Sequence, residues 1–600
     1  MNNVVLGTSL IDMYGKCGML TEAQKVFDHI LVKDIFSWNA LISGYAQNGL
    51  GDQALNCLRQ MQRVPGILPN AMTFASILNV CGYVGSLKTG EEIHAEVRKH
   101  GLLESNNVIL GSALIGMYAK CGAIVKAQEV FDGLSLRDAI CWNSLINGYS
   151  LHGLHDEVLR CFGYMQDEGF LPDVITFSCM LRTCASMGSW KKGEMIHARV
   201  VTKEGFLVQK YTVVVNVLID MYAKCGLLLR AREIFDGILM RSVDAWANLI
   251  AGYAQNGISS EALKCFGQMQ EEGLSPDEIT FVYVLKACGG NLGLIKKGEE
   301  IHAIINGLSL LENNIMLGTA LVDMYANCHS LSKAREVFDK LPCRDIVSWT
   351  TLISGYVQNG LNEDGLKSLK EMQVDGITPD AMTFACILKA CGNMGLAKMG
   401  EEIHGEVRRK GLLGKNTVLN TALVDMYSKC GMPMKAKEIF DEFPSRDVIL
   451  WNAHISSYVQ VGQVREAFSS FARMVSEGIS PNAITFLALL TSCSHAGLVK
   501  EGEMYFDAMD KVHFLVPTIE HYCCMVDLYA RVGLFEEAIA LIEKAPSSSH
   551  LQMWLGVLGG CQKWVYNVEL GRWAFHYLLH LDEKCEAAYV GMSNIYGAIG

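Results

Sequence analysis

Ser37-Trp38-Asn39-Ala40-Leu41-Ile42-Ser43-Gly44-Tyr45 returns as Ser348-Trp349-Thr350-Thr351-Leu352-Ile353-Ser354-Gly355-Tyr356, and Cys141 to Tyr149 stands between the two in wording. Working outward from that stretch, Trp38, Trp142, Trp246, Trp349, Trp451 and Trp554 lie 104, 104, 103, 102 and 103 residues apart. Six tryptophans at so constant an interval mark an internal repeat. Each long period divides into three units. A short unit reads Leu10-Ile11-Asp12-Met13-Tyr14, Lys16-Cys17-Gly18 and Val26-Phe27-Asp28, and it returns at 114–132, 218–236, 321–339 and 423–441. A standard unit holds the Trp and closes on Pro69-Asn70, Pro172-Asp173, Pro276-Asp277, Pro379-Asp380 or Pro481-Asn482. A long unit runs Thr73-Phe74, Leu78, Cys81 and Gly90-Glu91-Glu92-Ile93-His94. All three place apolar residues at helical spacing, break at Gly, and resume with a second amphipathic stretch, which predicts a helix-turn-helix. One such hairpin cannot bury its own apolar stripe, so successive hairpins must stack into an α-solenoid with a continuous core.

Composition suits such a stack. Hydrophobic residues are 50% and charged residues 19% of 600, enough for a core and against intrinsic disorder. Asp, Glu, Lys or Asn interrupts every apolar cluster, so no helix spanning a bilayer, and no membrane partner, is expected. The net charge of -12 argues against a duplex-DNA partner held by phosphate neutralisation, and any nucleic-acid role must use local charge. Twenty-one Cys, an odd number spread along the chain without a secretory signal, predict free thiols in a reducing compartment. Cys17, Cys121, Cys225, Cys328 and Cys430 occupy equivalent places and are expected to serve as small core residues. No pair has metal-ligand spacing, so no metal or other cofactor is expected. Patterned structure begins by Val4, which leaves no room for a basic organellar presequence: the protein is expected to be untargeted or to lack its natural start.

The wording of the first helices, Trp38 to Tyr45 and Val322-Asp323-Met324-Tyr325-Ala326, resembles the pentatricopeptide repeat family, and the Trp-x-x-Leu-Gly-x-x-Tyr signature of tetratricopeptide repeats is missing from them. The alternation is similar to the plant PLS subclass. Short units are read at 4–34, 108–138, 212–242, 315–345, 417–447 and 519–550, standard units at 35–70, 139–173, 243–277, 346–380 and 448–482, with long units filling the gaps, an array of sixteen over 4–550. Trp554 to Cys561 with Asn567 to Gly571 resembles a first E-type motif (551–584), and Tyr589 to Tyr596 the start of a second (585–600). The resemblance implies an all-α fold, a right-handed superhelical α-solenoid. It also implies sequence-specific binding of single-stranded RNA in plant mitochondria, or less often plastids, as a site-recognition factor for C-to-U editing that recruits a deaminase in trans.

In that family the fifth and last residues of a repeat read one base, and the second residue sandwiches bases between neighbouring repeats. Carried over, the short units supply Thr8 with Asp34, Ser112 with Asp138, Asn216 with Ser242, Thr319 with Asp345, and Thr421 with Asp447. The standard units supply Asn39 with Asn70, Asn143 with Asp173, Thr350 with Asp380, and Asn452 with Asn482. Ala247 with Asp277 departs from the pattern, because an alanine cannot hydrogen-bond through its side chain. Read 5′ to 3′ with long units blank, the implied target is G Y n G U n C ? n G G n G Y n. The long units carry Ala75, Ser178, Val282, Ala385 and Leu487 at the fifth place and are expected to act as spacers. The sandwiching residues are Val5, Phe36, Ile109, Ile140, Val213, Met316, Val347, Val418 and Ile449, with Asp244 the exception. Helix capping is the competing account of the small polar residues. Lys16, Lys120, Lys224, Lys429 and Arg531 recur late in the first helices of the short units, with Asn327 in place of a cation. They suit either a helix C-terminus or phosphate contact.

A zinc deaminase needs His-x-Glu with Cys-x-x-Cys. His94-Ala95-Glu96 and His404-Gly405-Glu406 supply the first half, but the equivalent His197 and His302 lack the Glu and no Cys-x-x-Cys occurs. No Walker loop, Gly-x-Ser-x-Gly elbow or His-Glu-x-x-His helix is present either, so the chain is expected to be an adaptor without catalytic activity. A helical protein-binding scaffold, or a fragment whose deaminase domain lies beyond Gly600, are the alternatives.

Overall fold

The protein is seen in a computed structural model that describes residues 4–103, 107–203, 212–238, 240–312, 314–414, 416–443, 446–545, 550–564, 567–582 and 585–597, without the side chains of 201–203, 212 and 312. Among these residues there are thirty-five α-helices, two short 3-10 turns and no strand. The first period shows the plan: α1 (Val4–Lys16) and α2 (Leu20–His29), α3 (Ile35–Gln47) and α4 (Gly51–Met61), α5 (Ala71–Val84) and α6 (Leu87–Lys99).

Starts of the first helices are written into the sequence as caps. Asp34 accepts from Ser37 N at 2.8 Å, Asn70 from Thr73 N at 3.0 Å, and Asp173 from Thr176 N at 2.9 Å. In each case a short oxygen-bearing side chain satisfies a backbone donor that the helix leaves orphaned. Within a hairpin the turn is set by glycine: Gly49, between α3 and α4, has φ +74°, a conformation other residues rarely adopt.

The chain divides into two compact units, Met1–Asn291 and Leu292–Gly600. Inside each, the first helices of successive repeats pack side by side into one layer, and the second helices pack behind them. The layers meet over a recurring aromatic pair. Trp38 meets Phe27 edge-on at 4.6 Å between ring centroids, and Trp142–Phe131, Trp246–Phe235, Trp349–Phe338 and Trp451–Phe440 repeat the contact at 4.4–4.6 Å. All five tryptophans are buried, so the hundred-residue ruler reports a packing requirement, each ring burying a large apolar area at the joint of two hairpins. Gly44, matched by Gly148, Gly252 and Gly355 and replaced by Ser457 in the fifth standard unit, is a second recurring feature of that joint. A Cβ on it would lie 3.3 Å from the Gly15 Cα of the neighbouring helix, so its bare backbone lets α1 and α3 close up.

Outside the core, Arg137 lies over the Phe131 ring at 4.7 Å and reaches Glu168 at 3.3 Å; Arg446 does the same with Phe440 at 4.9 Å and Glu477 at 3.4 Å. These arginines tie a short unit to the standard unit after it, joining cation–π attraction to an ion pair.

One expectation fails here. Of the five equivalent cysteines only Cys328 is buried; Cys121, Cys225 and Cys430 are half-buried and Cys17 is exposed. They stand one residue past the last turn of the first helix, where the chain leaves the layer and apolar cover ends.

Candidate functional site

The outward side of the first helices carries the second residues singled out in the sequence, while the fifth residues sit deeper: Asn143 and Asn452 are buried, at 5% and 6% exposure, and Thr8, Asn39, Ser112, Asn216, Thr319, Thr350 and Thr421 are half-buried. Second, fifth and ninth residues of a helix are three and four apart and share one face. The nine second residues from Val5 to Ile449 are large apolar groups left 50–76% exposed. The third standard unit instead exposes Asp244. Met72, Ile175, Ile279, Met382 and Ile484, second residues of the long units, are also 44–59% exposed. Apolar fifth residues set the long units apart as spacers, yet these second residues share the register of Val5, which is the signal in the sequence that marks them. In each of the two compact units these exposed apolar side chains, fourteen in all at one register of the repeat, form a ladder that burial does not explain, since a folded chain normally hides such residues. Ile109, Ser112 and Ile140 line one groove of about 340 Å³ with Ala75, Asn79 and Lys120.

The polar pairs behave differently in the two kinds of unit. In standard units the fifth residue is drawn into a network with the last. Asn143 Nδ2 donates to Asp173 Oδ2 at 3.0 Å, and Thr176 Oγ1 donates to Asn143 Oδ1 at 2.6 Å. Asn39 with Asn70 and Thr73 (3.2 and 2.6 Å), and Asn452 with Asn482 and Thr485 (3.0 and 2.6 Å), repeat it. Thr350 reaches Asp380 through Thr383, at 2.7 and 2.8 Å. The bridging residue is always the threonine three places after the cap, and Thr280 provides it even beside Ala247, where it bonds only to Asp277.

In the short units no hydrogen bond joins Thr8 to Asp34, Ser112 to Asp138, Asn216 to Ser242, Thr319 to Asp345 or Thr421 to Asp447 among the described residues. The residue three after the cap there is Ser37, Cys141, Ala245, Ser348 or Leu450, none of which makes such a bridge. Ser112 and Thr421 turn their hydroxyls onto their own helix, to Ile109 O at 3.0 Å and Thr417 O at 2.9 Å. The Thr8 hydroxyl is buried without a partner. Capping thus accounts for the last residues: Asp34, Asn70, Asp138, Asp173, Ser242, Asp345, Asp380, Asp447 and Asn482 each accept from a backbone N–H. It does not account for the fifth residues, which stand inside helices.

The late cations of the short units are spoken for. Lys16, Lys224, Lys429 and Arg531 pair with Asp12, Asp220, Asp425 and Asp527 one turn earlier, at 2.6–2.9 Å, and Lys120 lies over the Tyr83 ring at 3.6 Å. The four histidines of the long units have a structural task. His94, His197, His302 and His404 bond through Nδ1 to Tyr118, Tyr222, Tyr325 and Tyr427 of the next short unit at 2.8–3.1 Å. Burial lowers their pKa, that of His94 to about 4. Among the described residues no three His, Cys, Asp or Glu side chains gather as a metal site would require.

Sequence profiles of the PPR repeat family match residues 33–82, 137–186, 241–290, 344–393 and 446–495, and a profile of the single PPR repeat matches 8–35, 213–243, 421–448, 484–514 and 520–549. In Arabidopsis thaliana, pentatricopeptide repeat-containing protein At2g33680 is 36% identical over 98% of this chain and 81% of its own length. The chloroplastic At1g15510 is 33% identical over 100% and 68%, and the mitochondrial At2g03380 32% identical over 100% and 86%. A crystal structure of the pentatricopeptide repeat protein PPR10 in complex with an 18-nucleotide psaJ RNA element is similar with a TM-score of 0.51, at 18% identity, covering 98% of this chain and 86% of that one. At that identity the likeness speaks for the fold.

Proposed function

The chain belongs to the pentatricopeptide repeat family, and from that premise we propose that it binds single-stranded RNA in a sequence-specific way, one nucleotide per repeat, along the exposed side of its first-helix layer. The observation that carries the reading is the ladder of exposed apolar second residues running beside fifth residues that are polar in the short and standard units. Unstacked bases present an apolar face and a polar edge, and such a surface offers a counterpart to each. PPR10, whose fold this chain shares, was crystallised with an RNA element. Because the ladder runs through the long units, each of them also holds a nucleotide, and the register advances by one per unit.

In this reading Asn143 and Asp173 select U at the fifth nucleotide, the hydroxyl–Asp pairs of the short units select G, and Thr350 with Asp380 also selects G. Ala247 and Asp244 leave the eighth nucleotide unread. The unit alternation and the segment after residue 550 assign the chain to the PLS subclass with E-type motifs. On that assignment the protein is a site-recognition adaptor for C-to-U editing in an organelle, the mitochondrion before the plastid, that brings a deaminase in trans and carries out no chemistry itself. Relatives named as mitochondrial and as chloroplastic support an organellar setting.

The test is binding of a fifteen-nucleotide RNA written to the register above against a scrambled one, with Asn143→Ser as the probe. The expected result is tight binding of the matched RNA and a change of preference from U to G at nucleotide five in the variant. Equal affinity for both RNAs refutes base reading and leaves a protein-binding solenoid.

A further inference from the structure

One turn beyond the fifth residues, about 6 Å along the helix, lies a row with a charge pattern of its own. Ninth residues of the standard units are uncharged: Ser43, Asn147, Ala251, Ser354 and Ser456. Those of the short units are Asp12, Asp220, Asp323, Asp425 and Asp527, with Gly116 the exception. The middle three long units place Arg182, Lys286 and Lys389 there, all exposed. The row belongs to the same surface as the ladder, because Asn79, Gly116 and Asn147 line the groove that holds Ile109, Ser112 and Ile140.

Pairing decides which of these charges acts on a ligand. Asp12, Asp220, Asp425 and Asp527 are each closed into an ion pair with the cation one turn later on their own helix, at 2.6–2.9 Å, so these four short units contribute close to zero net charge to the row; the other two place Asp323 before Asn327 and Gly116 before Lys120. Arg182 and Lys389 form no ion pair among the described residues. The long units that carry these cations have apolar or small fifth residues, Ser178, Val282 and Ala385, with little capacity for reading a base edge. Long side chains with free cationic ends, one turn from a stacked base, reach for the anionic part of a nucleotide, its phosphate.

We propose that Arg182, Lys286 and Lys389 grip phosphates of the bound strand, so that the long units hold the RNA backbone while the short and standard units read bases. This rests on the RNA-binding reading above and assigns the long units a task it leaves open. It also explains how a chain of net charge -12 holds a polyanion: the attraction is local, screened from distant acids beyond a Debye length of about 8 Å at physiological salt, and enters once per three nucleotides.

The experiment measures RNA affinity of the full chain by fluorescence anisotropy across a range of KCl concentrations, for wild type, Arg182→Gln, Lys389→Gln and the triple variant with Lys286→Gln. Neutralising a single-strand phosphate contact removes about 0.7 from the magnitude of the slope of log K against log salt. The expected result is a loss of about 0.7 per substitution and about 2 for the triple variant, with affinity falling by the same factor for matched and singly mismatched RNAs. Lys224→Gln, whose cation is already paired with Asp220, should change the slope far less. An unchanged slope in Arg182→Gln and Lys389→Gln overturns the proposal, as does a loss confined to one base identity or an equal effect of Lys224→Gln. The two readings fail separately: sequence-blind binding whose slope still drops in the variants sinks base reading and keeps the grip. All three residues are exposed, and a circular-dichroism melt checks that the variants fold as wild type does.

Discussion

Replacing Thr176 by Val keeps a branched side chain of the same shape and deletes one hydroxyl that never faces the proposed ligand. Thr176 is fully buried. Its Oγ1 lies 2.6 Å from Asn143 Oδ1 and 2.9 Å from Asp173 Oδ1, and it accepts from Asp173 N at 3.1 Å. The cap bond from Thr176 N to Asp173 Oδ1 survives the change. What disappears is one of the two bonds on the Asn143 amide, that to its Oδ1; the bond from its Nδ2 to Asp173 Oδ2 remains, so the side chain is held less firmly and part of its ordering is left until RNA binds. That ordering costs about 0.5–1.5 kcal/mol per side chain, or roughly a 2- to 10-fold weaker grip on U at nucleotide five at about 1.4 kcal/mol per decade. The folded state also loses about 1 kcal/mol for the broken buried hydrogen bonds. Competition binding with four RNAs that differ only at nucleotide five reads the effect, and Thr280→Val, in the unit where Ala247 offers no amide to orient, supplies the control at nucleotide eight. An equal loss for all four bases, or base-dependent loss in the control, refutes the reasoning.

Ile140, 59% exposed, should be dispensable for folding and needed for RNA. Ile140→Ser is expected to weaken binding by about 1 kcal/mol or somewhat more without lowering the urea midpoint, and a lowered midpoint with intact binding contradicts the ladder. Stability should fall on acidification: burial holds the pKa of His94 and His454 at about 4 against roughly 6.5 when unfolded. The unfolded chain therefore binds more protons, and stability present above pH 6.5 drains away as pH drops towards 4, by about 2 kcal/mol per residue at pH 5. His454→Leu should flatten that dependence in urea melts at pH 7.5 and 5, and an unaltered difference between the two melts counts against it. Asn359 donates to Ala326 O at 2.9 Å and Gly355 O at 2.7 Å, stapling two helix ends, and Asn48 and Asn256 do likewise. The fifth standard unit has Val461 at that place, so Val461→Asn should stabilise the chain by about 1 kcal/mol, seen as a higher urea midpoint; a lower one refutes the staple.

Helical hairpins and their period were legible in the sequence because they are local codes. Spacing of three and four, a Gly turn and an Asp or Asn cap act within a few residues of one another, and repetition multiplies a weak signal. Trp38 to Tyr45 alone announced the stack. The residues that touch across it were not legible in the same way. Asn143 is engaged by Thr176 and Asp173, 33 and 30 residues away, and only the lateral register of two stacked hairpins decides that those atoms meet. The same holds for His94, whose tyrosine partner lies 24 residues on and turns half of a deaminase motif into a packing contact, and for Cys17, whose place at the edge of the layer overrides its apolar character. Exposure of Met72, Ile175 and their fellows, and the sorting of cations into paired and unpaired, are likewise properties of a face. A face exists only once neighbouring helices have covered the rest of each cylinder.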